Sequence, residues 1–381
     1  MTKVLILIDW FDPAYKAGGP IRSCVNMVKS LEQYFEIYIL TSDTDLDDKL
    51  HGLEKKDEWL PYSVSAKVMY LSAAARRWRN IAKTIREIHP DTMILNSMFS
   101  KVFTIYPLLL KKMQKTNSRI LIFPRGMLKR SALGHKSAKK KLFFLLAKPL
   151  YTASKNIFVV TDKTEGEEVK AMFSGAQTRI AANFSDNTER PLQLTPKTAG
   201  FLKMIFVGRV HPIKNLKFLL ELLTKSRIRG SLKIIGVLED ENYWRECDAL
   251  IDTLEQVQVG YLGEVPHEQL YDHITDSHLF VLPTLGENFG HAIAESLSAG
   301  RPVLISDRTP WRSLHENNLG WEYPLAEEKM FQASLEAACD WTGEEFDRIC
   351  KACYQWYTDR KNDAELIEQY KNILEDASTG D

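Results

Sequence analysis

The chain is poor in cysteine, with five in 381 residues: Cys24, Cys247, Cys339, Cys350 and Cys353. So few in a chain this long exclude a disulfide scaffold. Cys350 and Cys353 form a C-x2-C, but no second pair or flanking histidine completes a zinc set. With Trp356 and Tyr357 behind them, they read as part of a C-terminal helix. Long apolar runs are also missing. Val102 to Leu110 is about half the length of a membrane span. The apolar start ends at Asp9, too soon for a signal-peptide core. A soluble cytoplasmic protein is the expectation. Net charge is absent as well, with 50 Lys and Arg against 50 Asp and Glu. That balance excludes a nucleic-acid binder acting through bulk charge.

One absence is local. No acidic residue lies between Asp91 and Asp162, a stretch that holds 14 Lys and Arg from Lys101 to Lys155. The rest of the chain carries 36 basic residues against 50 acidic ones. The chain is therefore neutral in total and polarised along its length.

What is present is ordinary for a soluble globular chain: 44% hydrophobic and 26% charged residues. At about 150 residues per domain, the length predicts two domains. Short β-branched runs alternate with amphipathic helices, the pattern of parallel α/β sheets. Strands are expected at Val4–Ile8, Glu36–Thr41, Thr92–Asn96, Arg119–Phe123 and Asn156–Thr161. Ile21, Cys24, Val25, Val28 and Leu31 recur at helical spacing. Thr44–Lys67 is long, charged and weakly periodic, and reads as a functional loop. After a Thr/Pro/Asn-rich break at Ser185–Gly200 the alternation restarts. It continues through strands at Met204–Val207, Leu232–Ile235, Val259–Leu262, Leu279–Leu282 and Val303–Ile305. Glu344–Leu374 reads as a helical, acidic end.

Three places suit a phosphate and a sugar. Ala17-Gly18-Gly19-Pro20 follows the first strand and opens a helix, where backbone N–H groups and the helix dipole favour an anion. Alone, it is equally a tight turn. Gly208-Arg209 to Lys214 offers two cations at a strand's carboxyl end, matched to a diphosphate or to solvent. Gly286-Glu287-Asn288-Phe289-Gly290-His291 leads into a helix that carries Glu295, eight residues beyond Glu287. Asn288 is the expected N-cap. Free N–H groups at the helix start, flanked by two carboxylates, can hold a phosphate and the hydroxyls beside it.

In this order and spacing, the three elements resemble the retaining glycosyltransferases of family 4, whose GT-B fold has two Rossmann-like domains with parallel sheets facing across a central cleft. Pro124-Arg125-Gly126-Met127-Leu128, Thr309-Pro310-Trp311 and Ile234-Ile235-Gly236 fit the same pattern, so the resemblance spans nearly the whole chain. It implies an acceptor-binding domain over 1–190, completed by the last helix at about 357–381, and a donor-binding domain over 191–356. It implies that Arg209 and Lys214 bind the donor diphosphate, that Glu295 accepts from ribose, and that Glu287 holds hydroxyls of the transferred sugar. Backbone N–H groups of Asn288, Phe289, Gly290 and His291 would lie nearby. The Gly18–Gly19 loop would contact the distal phosphate once the cleft closes. The nucleotide-diphosphate sugar is then a co-substrate; no cofactor and no metal is expected. The acceptor would be a glycan or lipid-linked saccharide of the kind assembled into cell-surface polysaccharide.

Arg125 departs from the family pattern, standing where many relatives have the histidine of a His-Gly pair. Arginine cannot serve as a general base, so Arg125 would donate to a sugar hydroxyl or phosphate; His135 and His291 are alternatives. Asp43-Thr44-Asp45 and Asp45-Leu46-Asp47 carry the Asp-x-Asp spacing of a metal–diphosphate site, or are simply acidic loop residues. Lys136, Lys139, Lys140 and Lys141 precede Leu142–Ala147, which suggests contact of the 101–155 stretch with anionic lipid or a solvated helix start. Two other functions share the expected fold: a non-catalytic nucleotide-sugar-binding protein and a nucleotide-sugar epimerase. The first would lose Glu287, Lys214 or Arg209, and the second needs an acid/base pair that is not evident.

Overall fold

The computed structural model describes residues 1–46, 53, 55–128, 143, 147–152, 156–186, 188, 190–360 and 364–375. The chain forms two compact units, Met1–Phe184 with Asp363–Asp381, and Ser185–Asn362.

The first unit is built on an eight-stranded sheet. Its strands are β1 (Lys3–Leu7), β2 (Glu36–Ser42), β3 (Leu60–Pro61), β4 (Ala66–Leu71), β5 (Thr92–Leu95), β6 (Arg119–Ile122), β7 (Ile157–Val160) and β8 (Gln177–Ile180). They lie in the order β3-β4-β2-β1-β5-β6-β7-β8, and only the β3–β4 pair is antiparallel. Side chains alternate across a strand, and along β1 Val4 and Ile6 join one apolar cluster while Leu5 and Leu7 join another. The sheet is thus covered on both faces, which is why its central strands are unbroken apolar runs.

Helix α1 (Gly19–Leu31) buries Ile21, Cys24, Val25, Val28 and Leu31 along one stripe. Among the described residues, further helices of this unit are α2 (Trp78–Ile88), α3 (Tyr106–Lys112) and α4 (Lys163–Met172), and 147–152 is also helical. A π-helical turn over Lys101–Ile105 runs into α3, so the low-polarity run at Val102–Leu110 is a short buried element.

The second unit has six parallel strands: β9 (Leu202–Val207), β10 (Gly230–Ile235), β11 (Val257–Gly263), β12 (Leu279–Leu282), β13 (Val303–Ser306) and β14 (Gly320–Tyr323). Their order is β11-β10-β9-β12-β13-β14. The helices are α5 (Leu216–Thr224), α6 (Glu241–Ile251), α7 (His267–Thr275), α8 (His291–Ser298), α9 (Glu328–Asp340) and α10 (Gly343–Arg360).

A last helix, α11 (Ala364–Glu375), returns to the first unit. Its Tyr370, Ile373 and Leu374 join the cluster around β1 and α1. Tyr370 donates to the Ala182 carbonyl at 3.0 Å, and Arg119 donates to the carbonyls of Ile373 at 2.5 Å and Leu374 at 3.4 Å. A guanidinium on the last-turn carbonyls satisfies acceptors that the helix cannot. The acidic end is thus two helices, with 361–363 outside the described residues. All five cysteines are buried, and burial pushes the Cys24 and Cys350 thiols up to about 12, which leaves both as inert thiols at neutral pH. Among the described residues no helix is long and apolar enough to cross a membrane.

Candidate active site

In an open parallel sheet, ligands bind beyond the carboxyl ends of the strands where the strand order reverses. In the second unit that point lies between β9, whose successor β10 is on one side, and β12 on the other. The loops leaving these two strands carry Arg209, Lys214 and Glu287.

The two loops are tied together. Ile213 offers its carbonyl to the Leu285 N–H at 2.7 Å and to the Thr284 hydroxyl at 2.9 Å. Between them, the turn Pro212–Lys214 is capped by His211, whose Nδ1 accepts from the Ile213 N–H at 3.2 Å. Lys214 Nζ donates to Glu287 Oε1, with side chains only 15% and 14% exposed. The lysine stem lies along Gly208, where an added Cβ would touch it at 3.5 Å. Glu287 is fixed from its backbone as well, its N–H donating to the Arg308 carbonyl at 2.9 Å. Arg209 pairs with Glu239, beyond the end of β10, but more openly, at 40% and 37% exposure.

The expected cap at Asn288 is corrected by the structure. The N-cap of α8 is Gly290, with φ 83°, and the helix begins at His291. The left-handed φ favours glycine, and an added Cβ would sit 2.8 Å from Ile293 Cδ1 and 3.3 Å from Trp311 Nε1. Trp311 holds the approach to the turn by donating its indole N–H to the Phe289 carbonyl at 2.7 Å. The Phe289 ring stands 4.7 Å from that of His291. The intrahelical ladder starts when Ile293 and Ala294 donate to Gly290, so the His291 and Ala292 N–H groups precede it. Glu295 lies in the second turn of α8, and its Oε1 is 3.0 Å from Nε2 of His267 at the start of α7.

The first unit holds the remaining expected residues. Gly18, at φ 70°, caps α1, and Gly19 is that helix's first residue. Asp45 supports the preceding loop, accepting from the N–H groups of Tyr15 at 2.9 Å and Lys16 at 3.3 Å. Asp43 instead faces Lys56 at 2.7 Å and Arg76 at 3.8 Å. The two carboxylates serve different partners; Asp47 lies outside the described residues, as does His135.

Arg125 is 9% exposed and has a φ of 52°. Its Nε donates to Asn96 Oδ1 at 2.8 Å, its Nη1 donates to Asn183 Oδ1, and its guanidinium stacks 4.7 Å from the Phe123 ring. Beside it, the fully buried Glu165 accepts from the Gly126 N–H at 2.6 Å and from the Thr161 N–H and hydroxyl at 2.7 and 2.9 Å. Arg125 therefore joins the ends of β5 and β6 to the segment after β8.

Two features are missed by sequence reasoning. His267 stands 28 residues from Glu295, and a lone histidine at a helix start carries no signal. Arg301, fully buried, donates to the carbonyls of Gln193, Thr275 and Ala299 and to the Thr195 hydroxyl. Backbone acceptors leave no complementary residue to find in a sequence.

Residues 193–337 match the family described as Glycosyl transferases group 1. Among solved structures, the chain resembles sucrose-phosphate synthase from Thermosynechococcus elongatus, with a TM-score of 0.72, 14% identity and 99% of each chain covered. It also resembles the lipopolysaccharide outer core galactosyltransferase WaaB, with a TM-score of 0.61, 16% identity and 99% and 100% covered. The fold is GT-B.

Within this GT-B chain, the family match contains Arg209, Lys214, His267, Glu287 and Glu295 and lies in the second unit. Curated relatives align over less. The O-antigen chain mannosyltransferase B of Escherichia coli is 32% identical over 111 residues, 28% of each chain. An uncharacterised glycosyltransferase of Methanocaldococcus jannaschii is 25% identical over 178 residues, 45% of each. The chain thus spans less than half the length of these curated relatives.

Proposed function

We propose that the protein is a retaining glycosyltransferase that moves a sugar from a nucleotide-diphosphate donor to a glycan or lipid-linked saccharide, in the assembly of a cell-surface polysaccharide. The observation that carries this reading is the Lys214–Glu287 pair at the sheet's switch point, on the loop that leads into α8, whose second turn carries Glu295. The group 1 match over the same residues supports it, as does the Escherichia coli mannosyltransferase. A GT-B neighbour, Alr3699/HepE of Anabaena, was solved in complex with UDP-glucose.

In this reading Arg209 and Lys214 exchange part of their carboxylate contacts for diphosphate oxygens, and the first N–H groups of α8 add favourable dipole. Glu287, released in part from Lys214, accepts hydrogen bonds from the sugar. Glu295 accepts from the ribose diol. The nucleotide diphosphate leaves with its negative charge already compensated, so the protein lowers the barrier by electrostatic preorganisation. The acceptor hydroxyl attacks from the face of departure, and a leaving-phosphate oxygen takes its proton. No metal is needed for this charge balance. The first unit receives the acceptor, and the lysine-rich run at 136–141, outside the described residues, supports by its charge an acceptor presented at an anionic membrane.

The test begins with melting curves in UDP-, GDP- and ADP-sugars, where selective stabilisation by one class is expected through linkage. Transfer is then followed with that donor, and the product's anomeric configuration is read by NMR. Retained configuration and activity in excess chelator are expected. Unchanged turnover in R209A, K214A and E287A would overturn the assignment.

A further inference from the structure

Glu295 is not held by its own helix alone. His267 is the first residue of α7, entered through Pro266, and its Nε2 lies 3.0 Å from Glu295 Oε1. The two side chains are 16% and 15% exposed, so water competes little for this contact. A carboxylate only accepts, so the ring nitrogen that faces it must carry the proton.

Behind the histidine stands a second carboxylate. Asp186 accepts from the Thr188 N–H at 3.0 Å and its hydroxyl at 2.6 Å, and Arg190 lies 3.9 Å away. Burial acts to raise the Asp186 pKa, but the Thr188 hydrogen bonds and the charges of His267 and Arg190 outweigh it and hold the group below its usual value. Asp186, His267 and Glu295 line one cavity of about 540 Å³, together with Tyr271 and Tyr354.

We infer that His267 is a positioning residue for nucleotide recognition, its ring N–H clamping one oxygen of Glu295 so that the other oxygen and the remaining lone pairs face the ribose. This rests on the reading of Glu295 as the ribose acceptor. A free glutamate side chain samples several rotamers, and a carboxylate that must bridge two adjacent hydroxyls loses affinity when it does so. The imidazole removes that freedom before the donor arrives. It touches no reacting atom, so its contribution belongs to donor binding rather than to the bond-breaking step.

The test compares the Kd of UDP with that of 2′-deoxy-UDP, or the corresponding GDP or ADP pair, whichever nucleotide binds. The wild-type protein is expected to prefer the ribose form by about tenfold, and E295A to erase the preference. H267A is expected to cut the preference to about threefold or less and to raise the donor KM with little change in kcat, while H267Q, which keeps an N–H donor, restores most of it. A purely structural histidine would not move this ratio. Should H267A fold poorly, H267F retains the ring volume without the donor. The inference is overturned if H267A and H267F keep the wild-type ratio while E295A erases it. If E295A itself leaves the ratio unchanged, the ribose reading fails and the inference falls with it.

Discussion

Lys214 and Glu287 form an ion pair across the point where the strand order of the second sheet reverses, one on the loop after β9 and the other on the loop after β12. The pairing leaves each residue's charge compensated by the other. K214A and E287A are each expected to lower turnover about 10²- to 10³-fold, the range for loss of a preorganised charge contact. Their melting temperatures should fall by only about 5 °C, because the cost of leaving one partner of this largely buried pair alone is small against the unfolding entropy of a 381-residue chain. Initial rates and melting curves on the same preparations check both halves. Wild-type rates in either variant would remove the pair from the reaction.

Arg125 departs from the histidine expected by resemblance, and its geometry points to a strut. Its planar fork spans Asn96 and Asn183, which a lysine ammonium cannot do from one position. R125K is expected to cost about 1–3 kcal/mol by leaving one buried amide acceptor unpaired. Urea titration of R125K and N183A reads this directly. Equal stability of R125K and wild type would contradict it.

The central strands are legible because buried parallel strands are written as apolar runs, and Leu279–Leu282 is read to the residue. The strands that escape lie toward the margins. β8 is Gln-Thr-Arg-Ile and mostly exposed, and β14 starts at Gly320. β4 begins inside the stretch read as a loop, since Lys67 interrupts its apolar pattern. In the site, Arg209, Lys214, Glu287 and Glu295 are legible because glycines and helix starts flank them. The Gly290 cap is not, because the preference for Asn at N-caps points to Asn288, while the left-handed backbone at Gly290 is set by the folded turn and its approach to Ile293 and Trp311. His267 and Arg301 are illegible for a related reason: their partners are brought in by the fold.

Arg301 shows how much such a residue contributes. Its guanidinium serves the carbonyls of Gln193, Thr275 and Ala299, and burial lowers its pKa from the ordinary arginine value. R301L strands these acceptors and is expected to destabilise the protein by about 3 kcal/mol or more. A drop in the urea midpoint with loss of soluble expression is the expected outcome. A wild-type midpoint would mean that the carbonyls find other donors.

His278 gives the second unit an acid sensitivity with a defined sign. The ring is almost fully enclosed; its Nδ1 accepts from the Lys203 N–H at 3.1 Å and its Nε2 faces the Pro196 carbonyl at 3.1 Å. Burial, aided by the charges of Lys197, Lys203 and Arg301, pulls its pKa down to about 4, although the Pro196 carbonyl opposes the shift. The folded state thus keeps a neutral ring where the unfolded chain, with a pKa near 6.5, takes a proton. The stabilisation this provides is fully present above pH 6.5 and is lost as the pH falls toward 4, by about 2–3 kcal/mol. Eight other histidines and the first carboxylates also titrate between pH 7 and pH 4.5, so H278Q serves as the reference for the wild type across this window. Urea midpoints across it should fall more steeply for the wild type than for H278Q. Parallel slopes for the two proteins would show that the enclosed ring is not the group that titrates.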